Sequence, residues 1–306
     1  MRRLILITSL AIIAAACTSN DPLPAATTSS TTAPETSQAI VPTSVNLPQD
    51  DAPCLAGDRP FAASGLISAF GGTSGDATQI SGIRWAQHPG CERVVVDLLT
   101  ADGAPAGALG PIGVDYDETL GIIRINLPDA VARSTIADSL LDGDLVNRAF
   151  VVRTIQGTLA VDLHVTPGSS VTLRSFEVGA PSRIVVDIKP QPEAPPVIGA
   201  TISDDMVVLS PTSGQTQSPI LVTGYARAFE AEIVARLHED RYSPVIAEQT
   251  DLAADWAEAW GEFVITFANP PAQPLELFVG SESPSSGDTT GVWISIDTGT
   301  APPPDV

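Results

Sequence analysis

Basic side chains are scarce in this chain: 15 Lys and Arg stand against 36 Asp and Glu over 306 residues, for a formal net charge of −21 at pH 7. That balance excludes nucleic acid as a partner, because binding a phosphate backbone needs a basic footprint. It also disfavours loose adhesion to anionic lipid. Histidine is rarer still, with three residues, and neither these nor the three cysteines fall at zinc-ligand spacings, so no metal or cofactor is expected. A catalytic set is missing as well. Gly72-Thr73-Ser74-Gly75 lacks the spacing of a nucleophile elbow, and Gly103, Gly107 and Gly110 do not make a dinucleotide fingerprint. His88 in a Pro-Gly turn and His238 on a polar strand face read as solvated residues. The chain is expected to bind and not to catalyse.

What the first residues do contain is an export signal. Arg2 and Arg3 precede a predominantly apolar run from Leu4 to Ala16, too short for a membrane span but suited to a signal peptide. Ala14-Ala15-Ala16 followed by Cys17 resembles a bacterial lipobox, with Ala14 where Leu is usual; plain cleavage after Ala16 is the alternative. On the lipobox reading Cys17 carries the lipid, and two acyl chains anchor a protein stably to the outer face of the cell membrane. Cys54 and Cys91 then remain as a disulfide pair in an oxidising compartment, two free buried thiols being the other possibility.

Residues 17–51 show no apolar periodicity, and their Ser, Thr, Ala and Pro content reads as a disordered stalk. A second break, Pro190-Gln-Pro-Glu-Ala-Pro-Pro196, reads as a semi-rigid spacer across which few contacts are needed. These breaks divide the chain into a signal (1–16), a stalk (17–51), a folded segment (52–189), a linker (190–202), a second folded segment (203–299) and a tail (300–306).

Within the folded segments the pattern is β. Leu159, Val161, Leu163 and Val165 alternate with Ala160, Asp162 and His164, placing the last three on a polar face. Ala130 to Leu141 carries a rough apolar stripe at helical spacing. One short strand pattern occurs twice: Arg93-Val-Val-Val-Asp97-Leu and Arg183-Ile-Val-Val-Asp187-Ile. Val94, Val96 and Leu98 would share one face, and Arg93, Val95 and Asp97 the other. The fold expected is mainly β: two sandwiches, the first with one or two short helices.

The stretch from about Leu66 to Lys189 resembles the AMIN-like domain, a relative of modules that accompany bacterial cell-wall amidases. Ile83-Arg84-Trp85, the His88-Pro89-Gly90-Cys91-Glu92-Arg93 turn with the strand after it, and Ser182 to Ile188 carry the resemblance. It implies a β-sandwich that targets peptidoglycan or another envelope glycan. From about Asp205 to Asp297, Val207-Val-Leu-Ser-Pro211, Pro219 to Ala231, Trp260-Gly-Glu-Phe263 and Gly291 to Ile296 resemble the Gmad2 domain, an immunoglobulin-like domain of bacterial spore germination proteins. That implies an accessory interaction module. A protein–protein scaffold without glycan binding is the alternative function.

The candidate binding residues follow. Arg93, Asp97, Arg183 and Asp187 are either ligand groups or cross-strand ion pairs on an exposed face. Trp256 and Trp260 are a possible sugar-stacking platform, unless Trp260 plugs the core beside Phe263; Trp85 poses the same choice. Asp251, Asp255, Glu258 and Glu262 would align on a helix, but they lack the loop of a calcium site.

Overall fold

The computed structural model describes Cys54, residues 58–282 and residues 289–299. Cys17, the stalk and the tail lie outside the described residues, all of which belong to one compact unit, Asp51–Val306.

The amino-terminal half is built of β1 (Gly65–Phe70), β2 (Gln79–His88), β3 (Cys91–Leu99), β4 (Ile112–Asp117), β5 (Ile122–Asn126), β6 (Arg133–Ser134), β7 (Asp138–Leu140), β8 (Val146–Arg153), β9 (Leu159–Val165), β10 (Val171–Val178) and β11 (Arg183–Pro190). One sheet runs β10-β11-β3-β2-β6; a second carries β1-β4-β5-β9-β8, with β7 beside β8. Val94, Val96 and Leu98 from the first sheet and Ile123, Ile125, Val161 and Leu163 from the second meet in one core. Alternate residues face inward from both sheets, as in a sandwich.

The carboxy-terminal half repeats the plan with β12 (Thr201–Ile202), β13 (Met206–Ser210), β14 (Gly214–Gln215), β15 (Ile220–Ala226), β16 (Glu232–His238), β17 (Ala247–Leu252), β18 (Trp260–Phe267), β19 (Pro274–Glu282) and β20 (Thr289–Asp297). The sheet β14-β20-β19-β16-β17 faces β18-β15-β13-β12 across a second core, in which Ile233, Ala235 and Leu237 meet Phe263, Ile265 and Leu277. The protein is thus mainly β, built of two sandwiches.

Two expectations are corrected. Ala130 to Leu141 is not helical: Ala132 and Thr135 donate their amides to Thr78 and Ile80 carbonyls, and the Ala137 carbonyl accepts the Val151 amide. Neighbouring strands thus outcompete a local helix for the backbone groups. Among the described residues the helical structure is one 3-10 turn, Phe229–Ala231, and it lies in the other half.

Nor do few contacts cross the spacer. Strand β18 pairs in parallel with β8, Trp260 beside Val152, so that one ten-stranded sheet runs through both halves. Its outward faces then meet. Phe150 and Val152 from one half and Val207, Tyr225 and Trp260 from the other form a third buried cluster. The face of β9 bearing Ala160, Asp162 and His164 is covered by it, and all seven residues of β9 are buried. The spacer itself lies along the first sandwich, where Val197 is buried in its core and its amide bonds to the Ser169 carbonyl.

Candidate functional site

The repeated strand pattern explains itself once β3 and β11 pair. They run antiparallel with Arg93 opposite Asp187 and Asp97 opposite Arg183, so an Arg and an Asp four residues apart on each strand meet their counterparts on the other. Each aspartate then takes a second arginine. Asp187 accepts from Arg93 (Nε 2.6 Å, Nη2 3.1 Å) and from Arg174 of β10 (Nε 3.2 Å), which sits opposite it. Asp97 is bound by both Arg84 of β2 and Arg183, the latter at 3.5 Å. Charge-assisted, two-pronged contacts of this kind are the stronger class of hydrogen bond.

The pairing therefore gives the four residues a structural role, but the expected exposed face holds for one end only. Asp187 is 0% exposed and Arg93 8%. Arg174 is buried too, and its guanidinium also donates to the carbonyls of Cys54 (2.8 Å) and Arg59 (3.2 Å). It lies over the ring of Phe61, as does Lys189, while Arg59 lies over Phe176. Cys54 is disulfide-bonded to Cys91, the first residue of β3, which ties the chain amino-terminal to β1 to this sheet.

Trp85 is likewise engaged. It packs against the first core and its indole donates to Glu92 at 3.1 Å. Glu92, 2% exposed, also accepts the amides of Asp144 (2.7 Å), Leu145 (2.9 Å) and Val146 (3.2 Å), fixing the entry to β8. A Cβ at Gly143 would lie 2.5 Å from that carboxylate, so only glycine fits.

The junction between the sandwiches holds the remaining charged groups. Arg124 of β5 pairs with Asp162 of β9 at 2.7 Å and with Glu262 of β18 at 2.6 Å. Burial opposes its charge, but Asp162 and then Glu262 outweigh that and hold Arg124 above its usual pKa. His164 Nε2 hydrogen-bonds the Tyr225 hydroxyl. Burial first, then the charges of Arg148 and Arg124, push the His164 pKa down to about 3; burial likewise raises Tyr225 well above the ordinary phenol value. Trp260 is in this cluster, its indole donating to Asp138 at 3.0 Å, and not in the core beside Phe263 as expected. Beside the junction opens a cleft of about 350 Å³ with Asp115, Asp117 and Ile122 on one wall and Leu209 and Val264 on the other.

Trp256 differs from every other candidate. It is 46% exposed, and its ring meets that of Phe229, itself 56% exposed, at 5.7 Å between centroids. The four acidic residues do not align: Asp251 lies in β17, Glu262 in β18, and Asp255 caps the turn between them. Among the described residues no three His, Cys, Asp or Glu side chains converge as a metal site.

Fold and site together define a β-sandwich protein whose repeated strand Arg and Asp residues are internally paired and whose touching pair of exposed aromatic rings lies on the carboxy-terminal half. In that half, residues 205–288 match Gmad2, the immunoglobulin-like domain of bacterial spore germination. The chain matches no curated protein.

Sequence reasoning missed Phe229, Arg84, Arg174, Glu92 and Arg124. Arg84 and Arg174 carried a usable signal, since each lies on a strand flanking the repeated pair. Phe229 carried none, because its contact with Trp256 is tertiary.

Proposed function

We propose that the protein is a non-catalytic lipoprotein of the bacterial cell envelope, anchored through Cys17, whose folded part binds wall glycan, with the Gmad2 half as the contacting module. The observation that carries this reading is the contrast among the candidate residues. Trp85, Arg93, Asp97, Arg183 and Asp187 satisfy one another or their neighbours within the amino-terminal sandwich, whereas Trp256 projects from the matched half. The resemblance of the first sandwich to AMIN-like domains supports an envelope location, but its paired strand charges argue against these groups as the ligand contacts. A protein–protein scaffold is the second reading. The shared sheet and junction cluster favour it in so far as they present both halves in one fixed orientation.

Full-length protein mixed with purified peptidoglycan and centrifuged tests the first reading. Saturable co-sedimentation is expected; retention in the supernatant at every wall concentration favours the scaffold. For the anchor, labelled palmitate is expected to enter the wild type but not Cys17→Ala, which should move to the soluble fraction. Equal labelling of the two would defeat it.

A further inference from the structure

Phe229 and Trp256 are held outward by backbone that has little freedom to turn them in. Glu230 (φ 56°) and Ala231 (φ 63°) are both left-handed and neither is glycine, a conformation that side chains with a Cβ seldom adopt. It is kept in place because Ala231 is buried in the second core and its carbonyl accepts the Ala253 amide at 2.9 Å. On the other side of the corner, the Asp255 carboxylate accepts the amides of Trp256 (2.6 Å) and Ala257 (2.9 Å). Arg153 of the first sandwich grips the same carboxylate at 3.2 Å. Gly261 packs so closely on this turn that a Cβ there would lie 2.2 Å from the Asp255 amide nitrogen. The Arg227 guanidinium reaches the Ala257 carbonyl at 3.4 Å, lacing the two loops together.

Folding alone gives no reason for two touching aromatic rings to remain half in water, since burying apolar surface is favourable. Contiguous exposed apolar surface on a rigid support is a recognition feature. We propose that Phe229 and Trp256 form an aromatic corner that holds one pyranose ring of a neutral glycan. The C–H bonds on one side of a pyranose carry partial positive charge and complement the negative face of an indole. Its hydroxyls both donate and accept, and the exposed residues next to the rings in sequence supply both partners, Arg227 as donor and Glu230 and Glu258 as acceptors. Donor and acceptors together suit an uncharged polyol, whose hydroxyls use both, and the two carboxylates disfavour an anion.

The proposal rests on the glycan-binding reading above and locates it. Isothermal titration calorimetry of the full-length protein with a soluble N-acetylglucosamine tetramer tests the site, run beside sedimentation with purified peptidoglycan. Saturable tetramer binding is expected, weakened at least tenfold by Trp256→Ala and by Phe229→Ala and largely kept by Trp256→Phe, all with unchanged unfolding midpoints. Binding that both alanine variants retain in full would overturn the site while leaving glycan binding intact. Tetramer binding lost in the variants, without wall sedimentation of the wild type, would uphold the site and overturn the wall reading. No tetramer binding by the wild type overturns the site, and no sedimentation in addition overturns both.

Discussion

The two ends of the β3–β11 pair carry the same chemistry in different surroundings. At one end Asp187, fully buried, is held by Arg93 and Arg174; at the other Asp97, about a quarter exposed, is held by Arg183 and Arg84. A near two-fold relation links them, broken on β2, where Gly82 stands opposite Asp97 and Arg84, two residues further on, reaches the carboxylate from a diagonal position. A sequence repeat can thus specify a strand pairing twice over and still leave the two copies with different energetic weight. In a low-dielectric site, removing one partner leaves the others desolvated with part of their compensation gone, whereas water relieves the loss at an exposed end.

The largest effect is expected from Asp187→Asn, which leaves two buried guanidinium groups facing an uncharged amide. A loss of about 3–5 kcal/mol in chemical denaturation is expected, enough to unfold a marginal domain. A loss below about 1 kcal/mol would show that this end behaves like the exposed one.

The junction holds a buried group that must stay neutral. Because His164 has a folded pKa lowered to about 3, the unfolded chain binds a proton there first as pH falls. Stability from this residue is therefore complete above the ordinary histidine value of about 6.5 and declines below it, by up to about 1.4 kcal/mol per pH unit until the folded value is reached. Urea midpoints measured between pH 7 and pH 4 should fall in the wild type and fall less steeply in His164→Gln. Parallel profiles for the two proteins would mean that other groups carry the acid sensitivity.

The smallest effect belongs to Asp97→Asn, expected to cost about 1 kcal/mol or less because solvent screens both arginines. It should also leave wall sedimentation unchanged, since Asp97 is assigned no contact with ligand. Reduced sedimentation without reduced stability would return this end of the motif to the binding surface.

How much of this was legible depended on whether a residue's partner was local. Alternation gave the strand at β9 and the facing of Val94, Val96 and Leu98, and the motif repeated in Arg93–Asp97 and Arg183–Asp187 held the cross-strand pairing. The polar face of β9 is buried, which alternation does not reveal, because Asp162 and His164 meet Arg124 and Tyr225, which lie 38 and 61 residues away. His238, expected to be solvated, is 8% exposed, bonded to the Ser243 carbonyl and packed on Trp293. The stripe in Ala130 to Leu141 misled for the opposite reason. Its apolar residues do not share a buried face, since Val131 is 1% exposed and Leu140 75%. At the candidate site Trp256 was legible as one half of a possible stacking platform with Trp260, but Trp260 is buried and Phe229, which stands beside Trp256 instead, was not legible.

The claim that the repeated Arg and Asp residues are a cross-strand clamp of unequal halves is tested most directly by two double-mutant cycles on stability. One removes Arg93 and Asp187 singly and together, the other Arg183 and Asp97. A coupling energy of roughly 2–3 kcal/mol is expected for the buried pair and below about 1 kcal/mol for the exposed pair. Coupling near zero at both ends, or equal at the two, would contradict it.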